Sequence, residues 1–145
     1  MADSGVEFKS HSKEAKAKLQ TSIAAALEAG SLIIEGQVKA NLTASGYVDT
    51  GELRDSFSHQ ISGTGKDTKS KIGTPLKRAI YPEYGTGDFA ENGAGRKGGW
   101  SYLDSEGKWH YTKGQKPLKF MRKAFRSKKG EVKEVMKSEL RKGMQ

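Results

Sequence analysis

The sequence predicts an α+β fold: a long N-terminal helix and a C-terminal helix packed on a small antiparallel β-sheet, with a long glycine-rich loop. Three patterns support this: an apolar helical repeat near the start, alternating apolar and polar residues in the middle, and a second helical repeat at the end. With 145 residues and no cysteine, the chain has the length of one domain and no disulfide framework. We expect residues 1–12 to be a flexible segment and residues 13–145 to form a single domain.

The first helix is predicted between Lys13 and Leu42. Apolar side chains recur there four or seven residues apart, which places them on one helical face: Leu19, Ile23, Leu27, Ile34 and Val38. Gly30 lies on the same face, where the absence of a side chain lets another backbone approach closely. A helix this long in so small a domain exposes surplus apolar surface, which we expect a neighbouring subunit to cover.

A short helix and two strands are predicted next. Asp49 or Thr50 can cap a new helical turn, and Glu52 lies near its positive end. Residues 57–61 alternate between apolar and polar side chains, which is typical of a half-buried strand, and residues 69–74 form a plausible return strand.

A short helix or turn opened by Pro75 is predicted to end at residues 84–87. Residues 85–99 contain six glycines and predict an exposed, mobile loop, and a loop of this length is usually functional or orders on binding. Strand patterns at 100–103 and 108–111 flank a turn and predict a hairpin rich in aromatic residues. Its aromatic side chains favour a core or a protein interface, with stacking on nucleic-acid bases as the alternative.

The last predicted element is a basic helix over residues 117–142. Its apolar side chains keep one helical face, and Phe120, Met121 and Phe125 are expected to dock it on the core. Basic side chains keep a neighbouring face: Lys119, Lys123, Arg126, Lys133, Lys137 and Arg141. Both faces hold their phase across Gly130, so we predict a single helix or two nearly collinear ones.

The basic character of the chain belongs to its C-terminal segment. Residues 113–145 contain twelve basic and three acidic side chains, and this excess equals the net charge of +9 for the whole chain. Such asymmetry indicates a polyanionic or acidic partner, or else a solvated lysine-rich helix face. The charge alone does not choose between these two interpretations.

An enzyme is not expected, and neither is a cofactor or a metal. The glycine pattern at 93–98 matches a dinucleotide fingerprint but lies in a loop and precedes a strand pattern, so we interpret it as a chance match. The three histidines are too scattered for helical metal pairing, and the acidic residues near Thr50 are better explained by helix capping. The longest apolar stretch is too short to span a membrane.

Four segments follow one another along the chain. The first, 48–57, contains Asp49-Thr50-Gly51 and Leu53-Arg54, and the second, 81–87, contains Glu83-Tyr84-Gly85-Thr86-Gly87. The third is Gly98-Gly99-Trp100, and the fourth covers residues 117–125. In this order they resemble the neck or tail-component family of long-tailed bacteriophages, small proteins that join the DNA-filled head to the tail. The resemblance covers roughly residues 15–130. Where Lys119 and Lys123 stand, the family often has prolines, so this copy's last helix is more basic than the resemblance suggests.

The resemblance implies a structural virion protein that is assembled in the host cytoplasm. It implies a ring around the DNA channel, with six copies favoured, and other neck and tail proteins as its partners. Its expected docking segment is Gly85, Thr86, Gly87, Asp88, Phe89, Gly93, Gly95, Arg96, Gly98, Gly99 and Trp100. The basic residues named above would face DNA or an acidic neighbour in the ring. The residues expected to specify architecture are Asp49, Thr50, Gly51, Leu53, Arg54, Glu83 and Tyr84. The alternative is a stand-alone nucleic-acid-binding protein that uses the same basic helix.

Overall fold

The computed structural model describes residues 12–47 and 50–145 of the chain. Its helices there are α1 (Ser12–Ser45), α2 (Thr50–Ser56), α3 (Ile80–Tyr84) and α4 (Phe120–Gly143). The strands are β1 (Ser58–Ser62), β2 (Lys69–Gly73), β3 (Trp100–Leu103) and β4 (Trp109–Thr112). The predicted α+β fold with long helices at both ends is confirmed. The expected flexible segment lies, apart from Ser12, outside the described residues.

The two long helices pack against each other in antiparallel orientation. Near the end of α1, the Asn41 side-chain amide donates a hydrogen bond to the Phe120 carbonyl oxygen at the start of α4 (3.0 Å), whereas Ser22 near the start of α1 contacts Gly143. Between these ends, a Cβ atom added at Gly30 would lie 3.0 Å from Val132 Cγ1. Another element does approach closely at Gly30, but the nearest atoms belong to side chains of α4 and not, as predicted, to a backbone.

The core lies where the end of α1, the start of α4 and the short helix α2 converge. Leu42 and Leu53 are fully buried, and the rings of Phe57 and Phe120 meet edge to face with their centroids 5.6 Å apart. This is the favoured geometry for an aromatic pair, because the positive ring edge faces the negative ring face. Leu53, one of the residues expected to specify architecture, does so as part of this core.

The strands form two separate antiparallel hairpins instead of the single small sheet that was predicted. β1 pairs with β2, and this hairpin packs on α1, where the Ser31 and Ser70 hydroxyls lie 2.5 Å apart. β3 pairs with β4, with Leu103 opposite Trp109. The hairpin contacts the glycine-rich segment, where Tyr111 donates to the Gly98 carbonyl oxygen (2.7 Å), but it has no extensive contact with the described helices. The second hairpin therefore projects from the helical body.

The last helix runs without interruption across Gly130, so the prediction of one helix is confirmed, with its start at Phe120. The expectation that three residues dock it on the core is only partly correct. Phe120 is buried and Met121 is half-buried against the core, but Phe125 is 46% exposed. The sequence pattern includes Phe125 because its distance from the other apolar residues is that of a helical repeat. In the structure, Phe125 lies at the edge of the contact between α4 and α1 and borders an open groove.

Candidate functional site

The start of α4 is held by a buried carboxylate from α3. Glu83 is 5% exposed, and its carboxylate oxygens accept hydrogen bonds from the backbone amides of Met121 (2.9 Å) and Arg122 (3.2 Å). These amides belong to the first turn of α4, where no partner within the helix is available and the helix dipole favours negative charge. The preceding residue, Lys119, has φ of 54° and supplies no side-chain cap, so Glu83 caps the helix across 38 residues of sequence.

Arg122 joins this cap to the glycine-rich segment. Its Nε donates to Glu83 (2.8 Å) and its Nη1 donates to Glu91 (2.9 Å). The guanidinium also lies 4.7 Å from the centre of the Tyr84 ring. Hydrogen bonds from Arg122 lower the pKa of the Glu91 carboxyl. The hydrogen bonds to Glu91, and to a smaller extent those to Glu83, raise the pKa of the Arg122 guanidinium. The sequence interpretation named Glu83 and Tyr84 but missed Arg122, whose partners are far away along the chain.

The glycine-rich segment is mostly exposed, as predicted, but residues 86–88 are paired with the backbone of residues 113–115. The Thr86 amide donates to the Gln115 carbonyl oxygen (2.9 Å), and the Asp88 amide donates to that of Lys113 (2.8 Å). Gly87 has φ of 61°, and a Cβ atom there would overlap the Lys113 carbonyl. These hydrogen bonds explain why glycine is needed, because any side chain would separate the two paired backbones.

Six of the eleven expected docking residues line a cleft beside α3, whereas Asp88, Phe89, Gly93, Gly98 and Gly99 do not. The cleft has a volume of about 430 Å³ and lies between Tyr84 on one side and Arg96 and Trp100 on the other. The Arg96 guanidinium lies 5.6 Å from the centre of a Trp100 ring, which is a cation–π distance. Other expected docking residues line the cleft: Gly85, Thr86, Gly87 and Gly95.

Five basic side chains form what we call the basic stripe: Lys123, Arg126, Lys133, Lys137 and Arg141, all exposed on α4. They lie on the side of α4 that faces away from α1. The opposite side of α4 packs on α1 through Val132 and Met136. Among the described residues, none of the five except Lys137 has an acidic side chain within ion-pair distance; Lys137 lies 3.8 Å from Glu134. The sixth predicted member, Lys119, precedes the helix and lies 3.6 Å from Glu91.

The motif around α2 has a structural setting. Arg54 pairs with Asp55 (3.2 Å), and Glu52 pairs with Arg78 (2.8 Å), which links α2 to the turn before α3. Gly51 is exposed in α2. The predicted cap by Asp49 lies outside the described residues, as does the side chain of Thr50.

His59 is held between two glutamates of α1. Its Nδ1 lies 2.6 Å from Glu35 and its Nε2 lies 2.8 Å from Glu28. These hydrogen bonds raise the pKa of the His59 ring. Burial favours the neutral form of Glu35, but hydrogen bonds from His59 and Lys39 outweigh it and lower the pKa of that carboxyl. The arrangement attaches β1 to α1.

Across residues 12–47 and 50–145, no three histidine, aspartate or glutamate side chains are grouped so as to hold a metal ion. None of the helices described here combines the length and the apolar character that a membrane span requires. The features that stand out are surfaces: the basic stripe, the cleft beside α3 and the projecting hairpin.

Comparison with known proteins identifies one family. The profile of the bacteriophage HK97-gp10 family, described as a candidate tail component, matches residues 7–85, more than half of the chain. The match includes the whole of the segment at 48–57 and residues 81–85 of the segment at 81–87, two of the four segments that carry the sequence resemblance. Neither the curated proteins nor the solved structures gave a match to this chain.

Proposed function

This chain belongs to the bacteriophage HK97-gp10 family of tail components, and on that premise we propose that it forms a ring that completes the neck or tail end. The ring joins head to tail around the DNA channel, most simply with six copies. Its role is mechanical: it offers a docking surface to other neck and tail proteins and helps to retain the packaged DNA. The family makes it a structural protein of the virion.

The observation that carries the proposal is the basic stripe. Four of its five side chains have no acidic partner among the described residues, so their charges are available to a polyanion. Folding a helix does not require such a row on the face away from its packing partner. A ring that places α4 along the channel wall would present one stripe per subunit to the DNA phosphates.

Exposed apolar surface supports assembly. Leu19 and Leu32 on α1 are 43% and 55% exposed, although the helix is otherwise packed along one face. A neighbouring subunit or another tail protein would bury these side chains.

The experiment replaces the five residues of the basic stripe with glutamine in the phage that encodes the chain. A matched variant replaces five exposed lysines on other surfaces: Lys13, Lys16, Lys66, Lys69 and Lys71. We expect the stripe variant to enter particles that then lose DNA to external nuclease, whereas the matched variant gives stable particles. Equal DNA loss from both variants, or absence of the chain from purified wild-type particles, would contradict the proposal.

A salt titration with purified protein and a DNA duplex separates this role from that of a stand-alone nucleic-acid-binding protein. Five phosphate contacts give a slope of about −4.5 for log K against log salt, since each contributes about −0.9. For a ring subunit we expect weak, sequence-independent binding that is lost at moderate salt. Tight binding at physiological salt, by a chain that is absent from particles, would favour the stand-alone protein.

A further inference from the structure

The exposed apolar side chains are concentrated in two patches. Twelve large hydrophobic residues are exposed among the described residues, and eight of them lie either on the second hairpin or around α3 and Phe125. Contiguous patches of this kind on a structured protein mark interaction sites more often than isolated exposed residues do. The two patches differ in shape and in charge.

The first patch is the outer face of the β3–β4 hairpin, which we call the arm. Antiparallel register places Leu103 opposite Trp109 and Ser101 opposite Tyr111, so these side chains share one face of the hairpin. Trp109 is 72% exposed and Tyr111 is 63% exposed. A two-stranded hairpin of this kind is at best marginally stable alone, and its apolar face is covered within the chain only at Tyr111, whose hydroxyl donates to the Gly98 carbonyl oxygen (2.7 Å).

The second patch is an open groove between α3 and α4, with a volume of about 660 Å³. Ile80 and Tyr84 form one wall, and Met121 and Phe125 form the other. Arg126 and Lys129 lie along its rim. The floor contains Glu83, whose charge is already matched by Arg122, so the rim leaves the groove with unbalanced positive charge.

The charges of the two patches are complementary. The tip of the arm contains Asp104, Glu106 and Lys108; Asp104 is paired with His110 (2.6 Å), whereas the Glu106 carboxylate has no basic partner among the described residues. Neither Arg126 nor Lys129 has an acidic partner within the described part of the chain. An apolar arm with an unpaired carboxylate at its tip thus exists on the same chain as an apolar groove with a basic rim.

We propose that the arm of one copy occupies the groove of the next copy. The contact joins two different surfaces, so it repeats head to tail and can close into a ring. Trp109 enters between Tyr84 and Phe125, while Glu106 approaches Lys129, which is not part of the basic stripe. The closure of the ring rests on the proposed function, whereas the contact between arm and groove is the interface that would build the ring.

Engineered cysteines test the contact, because the chain has none of its own. The double variant Glu106→Cys with Lys129→Cys is oxidised both in concentrated solution and in purified particles. We expect a ladder of covalent multimers that ends at the number of subunits in the ring. Each single variant gives dimers at most, and the matched pair Glu106→Cys with Lys66→Cys, whose second cysteine lies on the turn between β1 and β2, gives no ladder.

The outcomes separate this interface from the proposed function. If the chain is present in particles but the double variant forms no ladder there or in solution, the interface is wrong and the proposed function stands. If a ladder forms in solution but the chain is absent from particles, the interface stands and the proposed function is wrong. A disulfide within one chain, or an equal ladder from the matched pair, also overturns the interface.

Mixing variants tests the direction of the contact. Trp109→Ser removes the arm's largest side chain, and Lys129→Glu reverses a charge of the rim outside the basic stripe. We expect each variant alone to sediment as a monomer, with thermal unfolding near that of the wild type because the altered side chains are exposed. An equimolar mixture should form dimers and nothing larger, because the intact arm of the groove variant can enter the intact groove of the arm variant and no second contact is then possible. A mixture that stays monomeric contradicts the proposal.

Discussion

Glu83 and Arg122 form a buried junction that ties two distant segments together. The carboxylate accepts the Arg122 side chain at 2.8 Å and also accepts two backbone amides of the first turn of α4. The Glu83 carbonyl oxygen accepts a further hydrogen bond from Arg122 Nη2 at 2.7 Å. One pair of residues thus fixes where the last helix begins and how α3 and the groove lie beside it.

Replacing Glu83 with alanine tests this junction. The change leaves two helix amides and the Arg122 Nε without their acceptor, whereas Arg122 keeps Glu91 and the backbone carbonyl oxygen of residue 83, so we expect the unfolding free energy to fall by about 1–3 kcal/mol. Urea unfolding followed by circular dichroism measures the loss. Glu91→Ala serves as the control, because its exposed pair with Arg122 should contribute at most about 1 kcal/mol; equal losses would show that Glu83 is no special cap.

The stability of the protein should depend on pH through His59. Since folding raises its pKa, the contribution is fully present below the ordinary value of 6.5 and is lost as pH rises through the higher folded value. Glu35 has a lowered pKa, so its contribution is present above its ordinary value of 4.5 and is lost as pH falls through the lower folded value.

The difference in stability between wild type and His59→Gln should therefore be largest between these two ordinary pKa values. We expect on the order of 1–2 kcal/mol there, decreasing above the raised pKa of His59. Thermal unfolding of both proteins across the pH range measures it. A difference that does not change with pH would mean that the ion pairs contribute nothing beyond packing.

Gly30 and Gly36 form a matched pair within α1. A Cβ atom at Gly30 would lie 3.0 Å from Val132 and 3.3 Å from Met136, whereas Gly36 has nothing within 4 Å. We expect Gly36→Ala to stabilise the protein by about 0.5–1 kcal/mol through helix propensity. Gly30→Leu should destabilise it by about 1–3 kcal/mol, because α4 must move away. Denaturant titration of both variants measures these changes in unfolding free energy. A stabilising effect of Gly30→Leu would contradict the close packing of α1 on α4.

Gly87 and Gly93 separate backbone strain from steric overlap. Both have positive φ, but only at Gly87 would a Cβ atom overlap another backbone segment, at the Lys113 carbonyl. Gly93→Ala should cost about 1 kcal/mol, the usual penalty for a left-handed residue. Gly87→Ala should cost clearly more and should speed amide hydrogen exchange at Asp88, whose bond to Lys113 it disrupts. Equal effects at the two positions would show that the segment is not docked there.

Local patterns predicted the elements well, because periodicity, glycine and proline positions act over a few residues. The apolar repeat from Leu19 to Val38 and the strand alternation around His59 correspond to α1 and β1. The contacts between distant segments could not be read in this way: neither the cap of α4 by Glu83 nor the exposure of Phe125 has a local signature. The glycines at 85–99 indicated a loop, but the backbone of residues 113–115 that pairs with it is visible only in three dimensions.

The length of α4 sets a limit on what the basic stripe can do. From Lys123 to Arg141 the helix rises about 27 Å at 1.5 Å per residue. A duplex advances about eight base pairs over that distance, which is less than one full turn. A subunit lying parallel to the channel axis therefore touches the double helix over only part of its circumference, and evenly spaced copies around the axis would complete the grip without reading any base sequence.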